Sequence, residues 1–500
     1  MKRFLNIAQK GLDKLLFGFT RLPSEGEPIR VKRRSGILAS LEEGVYATIY
    51  LTLVSGKFLM DLVLSMGAAA IHLGLINAIP FLAAPAQLGG AYLVSKIGSR
   101  KKVLIPAIFI CRQLWWFVLA TTLLPIESRT KLWIFILLYI IMNISGQVSG
   151  NAWLSWLSDL FPDNLRGRIV SARNGILIII AMMSDFLFSQ LRETFGKNGK
   201  QIFLLLTLAV ASLAGLKTVI AFKNQWEPPH LKTPSPRLVD IINQIGKIKA
   251  VRRLVIALML WNIAVGVATA FWTPHMMINL KMSFTKIFLY STIVMIFSFL
   301  MSRLIWGHVI DRAGTVSVVT FCSFLISFIP FLWLFITPDN ITPIWLEAVL
   351  NGLVWSGFNI AIFNLPFYIL PKKNQSYFFA ILSAITGIAL GMGAIIGGII
   401  AQILEDFHIE IAGIIYVNYH VTFVLSGILR GACVFLLRKI PDTRSRGMIF
   451  MLKMVGDGLV RATTNPRLIL YSSTMSPRKK QGQENQVILV KKINPPDKKE

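Results

Sequence analysis

Apolar runs of about 20 residues recur along the whole chain, separated by short polar segments. A helical run of that length crosses the ~30 Å hydrocarbon core of a bilayer. The pattern predicts twelve membrane helices, at roughly 37–60, 69–93, 103–124, 132–156, 169–191, 202–222, 253–274, 287–306, 315–336, 343–366, 377–402 and 414–437. The segment Lys223–Arg253 separates six runs from six. It carries Glu227-Pro228-Pro229 and Pro234-Ser235-Pro236, then an amphipathic piece, Leu238–Ile248. Prolines stop a helix as it leaves the membrane, and the piece that follows suits the membrane surface.

The same pattern gives the remaining organisation. Segment 1–36 is a basic amphipathic leader to the first bundle, 37–222; a linker, 223–252, joins it to a second bundle, 253–440, and a basic tail fills 441–500. In residues 1–20, Phe4, Leu5, Leu12, Leu15, Leu16 and Phe19 share a helical face, with Lys2, Arg3, Lys10 and Lys14 interspersed. That is the pattern of a helix lying on an anionic membrane surface rather than of a cleaved signal peptide. Met448–Val460 is a second candidate for such a helix. From Ser472 onward the tail is polar, with the composition of a disordered segment.

A short polar motif follows the second apolar run of each half. In the second half it reads Gly307-His308-Val309-Ile310-Asp311-Arg312-Ala313-Gly314. In the first it reads Ala91-Tyr92-Leu93-Val94-Ser95-Lys96-Ile97-Gly98, followed by Ser99-Arg100-Lys101-Lys102. The copies align without a gap, placing Gly98 on Gly314, Lys96 on Arg312, Ser95 on Asp311 and Ala91 on Gly307. The chain reads as one six-helix unit used twice, an arrangement in which a binding site lies between the repeats.

Composition agrees: 54% of residues are hydrophobic and 15% charged, with a mean hydropathy of +0.62, whereas a soluble domain is about a quarter charged. The net charge of +28 raises the question of nucleic acid, but that would call for a basic soluble domain. Here Lys and Arg cluster in alternate loops and in the tails. Loop Ser95–Lys102 is basic, loop Asp159–Arg173 carries Arg166, Arg168 and Arg173, and the loop after the eleventh run has Glu405, Asp406 and Glu410 with no basic residue. By the positive-inside rule both termini are expected in the cytoplasm, with loop Arg192–Lys200 as an exception on the outer face. Cys111, Cys322 and Cys433 all fall in apolar runs, so no disulfide framework or metal site is expected. No Gly-x-x-x-x-Gly-Lys-Ser/Thr loop occurs, and no cofactor is expected.

The Gly-x-x-x-Asp-Arg-x-Gly motif resembles the cytoplasmic loop signature of the major facilitator superfamily. Asp159-Leu160-Phe161-Pro162-Asp163-Asn164-Leu165-Arg166-Gly167-Arg168 is similar to the acidic-Pro-Arg-Gly loop after the fourth span of that family. Its counterpart, Pro371-Lys372-Lys373, has Gln375 and Ser376 in place of Arg-Gly. The resemblance covers about residues 36–440. It implies an all-α polytopic membrane protein with twelve transmembrane helices in two pseudo-two-fold-related six-helix bundles, and a central cavity lined by the first, fourth, seventh and tenth spans. It also implies a conformational latch formed by Gly307, Asp311, Arg312 and Gly314 with Lys96, Gly98, Arg100, Arg166 and Arg168. Asp311 is then expected to face the start of the fifth span near Gly167–Ile169. The other role open to Asp311 is that of a permanent helix cap, since a carboxylate is favoured at a helix N-terminus. Ser95 departs from the family pattern by carrying no charge.

Polar groups inside spans are costly in lipid and usually face a cavity or a partner. Glu347, Asn351, Trp355 and Asn359 lie four apart in the tenth run, and Asn143, Gln147 and Asn151 repeat that spacing in the fourth. Trp261 and Asn262 join them from the seventh. Amides pair with hydroxyl or carboxyl groups and indoles cover sugar rings or apolar portions, so these residues are candidates for binding a neutral or zwitterionic solute. The competing role is hydrogen bonding between helices, worth about 0.6–2 kcal/mol each. Glu347, Glu42, Glu43 and Asp185 are candidates for proton coupling, because a carboxylate wet in one state and dry in another takes up and releases a proton. Lys217 and Arg430 are expected to snorkel toward the cytoplasm. Arg112 is too deep for that and is expected to turn inward, to a carboxylate, an amide or an anionic substrate.

These features point to a secondary active transporter. It is expected to move a small polar solute by alternating access, coupled to protons, as a monomer in the bilayer and without nucleic acid. One alternative is a polyspecific efflux pump for drugs and amphiphiles, which calls for an apolar, Met- and Phe-rich cavity with a single acid. Another is a non-transporting membrane sensor, which the basic tail keeps open. A membrane enzyme would need a His, Asp or Cys constellation at an interface, and the six histidines are scattered. The short linker and small outer loops suit a bacterial inner membrane.

Overall fold

The computed structural model describes residues 27–163, 165–196, 198–229, 247–370 and 375–442, together with 450, 453, 454 and 456. The expected surface helix at 1–20, most of 238–248 and of 448–460, the Pro371-Lys372-Lys373 loop and the polar tail lie outside the described residues. Among those described, eleven helices are long and apolar enough to cross a membrane, or twelve when one bent pair is counted as a span. In order the spans are Glu27–Leu53 with Gly56–Ser65, Ala70–Ile97, Arg100–Leu123, Ser128–Leu160, Arg166–Phe195, Lys200–Asn224, Lys249–Asn279, Phe284–Ala313, Thr315–Leu332, Pro343–Ile369, Gln375–Ile403 and Asn418–Leu437. With an even number of crossings, Glu27 and Asp442 lie at one face, the terminal face; the opposite one is the far face.

The helices overrun the apolar windows because their end turns are polar yet still helical. The first differs more. It bends by 42° between Leu53 and Gly56, where a single run over 37–60 was expected. Gly56 has φ +53, in the left-handed region, and the Ser55 hydroxyl bonds back to the Leu51 carbonyl at 2.6 Å. A left-handed residue ends one helix before the next begins, and without a Cβ it does so at little cost. The two motif copies also end alike, with Gly98 at φ +76 and Gly314 at φ +86.

Helix packing joins the halves through the eleventh span, which lies against the seventh and second at close approach. A Cβ on Gly266 would come within 2.9 Å of Gly393 Cα, and one on Gly74 within 2.8 Å of Gly398 Cα. At the far face one apolar cluster draws on both halves, with Phe58, Phe188 and Phe203 from the first and Phe284, Trp333 and Phe423 from the second. The Phe58 and Phe284 rings stand 5.8 Å apart. Toward the terminal face the core divides, one cluster around Leu104, Trp156 and Phe222 and another around Trp306, Cys322 and Phe358. Phe117, Leu137, Phe299 and Phe435 are exposed on the outside of the bundle, where a bilayer is their natural solvent. Between the eleventh and twelfth spans, β1 (His408–Ile411) pairs antiparallel with β2 (Ile414–Val417). Ala412 and Gly413, both at positive φ, make the two-residue turn.

Candidate functional site

Two cavities open in the interior, and Ser55, at the break in the first span, lines both. The larger, about 550 Å³, is walled mainly by the second half, with Lys57 and Asp185 contributed by the first. The tenth span brings Glu347, Asn351 and Trp355 to it, four residues apart as the stripe requires. Glu347 is 0% exposed. Its Oε1 accepts from Asn351 Nδ2 at 2.9 Å, and its Oε2 has no hydrogen bond among the described residues. The Tyr290 hydroxyl, from the eighth span, lies 3.4 Å from the same Asn351 amide.

Arg430 reaches this cavity from the twelfth span. It is buried, its Nε has no partner, and its guanidinium lies 6.0 Å from the Trp355 ring centre. That corrects the expectation that it snorkels: its position on the twelfth span turns it into the bundle, where an indole face and a polar cavity take the place of headgroup water. Lys217 is exposed. Asp185 is held by Lys57 at 2.7 Å, and Lys57 donates in turn to the Phe284 carbonyl across the boundary between halves, at 3.2 Å.

The smaller cavity, about 470 Å³, belongs to the first half. Glu43 pairs there with Arg173 at 3.1 Å and accepts from Trp153 Nε1 at 3.3 Å. Arg112 is buried with its guanidinium 3.9 Å from the Tyr50 ring centre. Asn143 and Gln147 line the same space. Gln147 is engaged between helices, accepting from Gln87 at 2.5 Å and donating to the Pro80 carbonyl at 3.0 Å. Asn143 donates to the Tyr139 carbonyl of its own helix at 2.8 Å.

Five expected residues line neither cavity. Trp261 is 2% exposed and packs on Phe358 at 4.8 Å between ring centres. Asn262 donates to Leu258 one turn back at 2.7 Å. Asn151 is half-buried, and Glu42 and Asn359 are exposed. Sequence reasoning missed Lys57, Tyr290, Arg173 and Tyr50 as cavity residues. Lys57, a cation four residues from an acid inside an apolar run, was the one legible signal among them.

A family model of the Major Facilitator Superfamily matches residues 36–369 and 302–450. The chain belongs to the major facilitator superfamily. Solved structures of the same architecture include a D-xylose–proton symporter, with a TM-score of 0.60 at 14% identity over 83% of this chain and 99% of that one. The xylose transporter XylE from E. coli, in an inward open conformation, gives 0.59 at 14% over 85% and 100%. The nucleoside transporter NupG gives 0.54 at 14% over 84% and 98%. At such identities the likeness shows the fold. No curated protein matches the chain in sequence. As a superfamily member with this fold, the protein is an integral membrane protein of the secondary-transporter type.

The superfamily loop signature sits at the terminal face. Asp311 and Arg312 are exposed in the last turn of the helix Gly307–Ala313. Asp311 therefore does not cap the ninth span that follows it. The ninth span is capped instead by Asp442, whose Oδ2 accepts from Val316 N at 3.0 Å. Among the described residues the Asp311 side chain makes no hydrogen bond or ion pair. Arg166 pairs within its own half, with Asp163 at 2.6 Å and the Ser158 carbonyl at 2.7 Å. Arg100 is buried in an ion pair with Asp159 and donates to Ser155 Oγ at 3.0 Å. Lys96 is exposed.

At the far face the halves are bonded to one another. Gln190 donates to Thr285 Oγ1 at 3.1 Å, and Thr285 N donates to Glu193 at 2.8 Å. Just beside them Asp61 takes Arg192 at 2.8 Å and Lys200 at 3.0 Å. This accounts for the exceptional basic loop: two of its cations neutralise a buried carboxylate.

Proposed function

We propose that the protein carries a small polar solute across the membrane by alternating access, coupled to protons through Glu347, with both termini in the cytoplasm. The observation that carries this reading is the buried Glu347 carboxyl, with one oxygen lacking a hydrogen bond among the described residues, in a cavity at the boundary of the halves. When the halves rock, that cavity changes faces, and a carboxyl that changes its exposure with it exchanges a proton on each side. Asn351 and Trp355 beside it supply an amide and an indole face for the solute. The far-face clamp and the divided core at the terminal face suit a state closed to the outside.

The test is uptake into proteoliposomes under an imposed pH gradient, across sugars, amino acids, peptides and nucleosides. Glu347→Gln is expected to abolish gradient-driven uptake and to spare counterflow exchange. Gradient-driven uptake surviving in the variant would remove Glu347 from the coupling, and no uptake of any panel member by the wild type would remove the transport reading.

A further inference from the structure

We infer that the first-half cavity is an anion site, in which Arg112 takes the carboxylate of an amphipathic organic acid. The inference rests on the transport reading above and adds to it a second ligand site, in the first half, with its own ligand class. Arg112 is 7% exposed, in the third span, yet its Nε and Nη1 have no hydrogen bond among the described residues. Tyr50 covers one face of the guanidinium at 3.9 Å and leaves Nε and Nη1 without a hydrogen bond among the described residues. The nearest carboxylate, Glu43, lies within electrostatic reach but makes its ion pair with Arg173. A buried cation without an ion pair of its own is costly, and charges kept inside membrane bundles mark the paths of substrates.

A charge count separates the two cavities. The first-half cavity is lined by Glu43, Arg112 and Arg173. Glu43 is committed to Arg173 and Trp153, so one positive charge is left over. The larger cavity is lined by Lys57, Asp185, Glu347 and Arg430, which sum to zero with Glu347 ionised and to one positive charge with it protonated, so only the first keeps its surplus whatever the state of the coupling acid. The standing surplus and the unbonded Arg112 Nε and Nη1 together favour an anion in the first. A guanidinium matches the planar carboxylate well, and a single surplus charge suits a monoanion over a phosphate dianion. Much of the remaining wall is apolar, with Leu51, Val54, Leu104, Met142, Leu177 and Phe222. That lining calls for a hydrocarbon body behind the carboxylate, and about 470 Å³ is within the usual range of small-molecule sites.

The test uses the full-length protein in detergent with 4-methylpentanoate and phenylacetate, each set against its primary amide. Two readouts are taken: the melting temperature, and the rate at which N-ethylmaleimide labels Cys111, resolved by peptide mass spectrometry. Cys111 lines this cavity, whereas Cys322 and Cys433 are buried. Both acids are expected to raise the melting temperature saturably and to slow Cys111 labelling; the amides do neither. Arg112→Gln is expected to lose both acid effects, and Arg112→Lys to keep part of them. Should Arg112→Gln not fold, the contrast between acid and amide on wild-type Cys111 decides alone. Equal effects of acid and amide, acid effects that survive Arg112→Gln, or no effect of either acid on the wild type would overturn the inference. Binding needs no gradient, so Arg112-dependent binding in a protein that fails pH-driven uptake would leave this site standing and remove only the transport reading.

Discussion

Glu227 and Asp442 are one helix cap, built twice. Glu227 Oε1 accepts from the backbone N–H of Arg100 at 2.6 Å and of Lys101 at 3.3 Å, while Asp442 accepts from Val316 at 3.0 Å. The register that sets Gly98 on Gly314 also sets Arg100 on Val316, so both carboxylates meet the same helix position. Each arrives on the chain leaving the last span of its half. A carboxylate there answers backbone N–H groups that the helix itself leaves unpaired.

The first prediction follows from that equivalence. Glu227→Ala and Asp442→Ala should each lower stability by about 1 kcal/mol. The sites belong to different halves and share no partner, so the double variant should show the sum to within about 0.5 kcal/mol. Reversible unfolding in detergent reads this out. A loss confined to one half would mean that the two caps are not equivalent.

The repeat was legible in the sequence because it is written in local chemistry: the glycines ending each motif are forced by positive φ. The caps were not, since the residues that supply them lie more than a hundred positions from the helices they serve. The same distance hid the pairing of Lys57 with Asp185, which left Asp185 looking like a free acid. The break at Ser55–Gly56 was hidden for another reason: apolar residues flank it on both sides, and hydropathy is blind to φ. The tenth-span stripe lines the cavity as far as Trp355 and no further. A stripe of period four drifts around a helix of 3.6 residues per turn, and by Asn359 it has left the cavity wall.

Trp261 gives the second prediction. It sits in the core against Phe358 and Trp355 rather than in a cavity wall. Trp261→Ala should therefore act on stability, costing about 3–5 kcal/mol. Asn351→Ala, which removes one hydrogen bond to the buried Glu347, should cost less, about 1–3 kcal/mol, and weaken uptake. The comparison is made on the same two samples, and a Trp261→Ala protein that melts like the wild type but binds poorly would return this residue to the site.

The clamp at the far face gives the third. Lys57 is 6% exposed and holds both Asp185 and a carbonyl of the other half. Asp185→Asn leaves a buried ammonium without its counter-ion, and should weaken the far-face closure by about 2 kcal/mol, less than the 3–5 of a fully buried pair because Asp185 is partly wet. Lys57→Met removes the charge together with its need for a partner, and with Asp185→Asn present it should recover part of the loss. Thiol labelling of cysteines placed around Thr285, from the far side of oriented vesicles, measures the closure. Labelling that does not rise in Asp185→Asn would show that the apolar cluster alone holds the halves together.

The fourth prediction concerns Asp311, exposed and without a side-chain partner among the described residues. If its carboxylate engages the start of the fifth span only when the terminal face closes, its loss cannot disturb the conformation described here. Asp311→Asn should then leave binding in this state as it is, and disfavour the alternative state alone. An exposed ion pair is a weak contact, so the shift should be modest, up to about fivefold in population. It should appear as faster labelling of terminal-face cysteines at equal ligand affinity. High salt should shrink the difference between variant and wild type, because an ion pair at that face is screened within about 10 Å at 0.1 M. Labelling that is the same in both proteins at low salt would dispose of the latch and leave Asp311 as a solubilising surface charge.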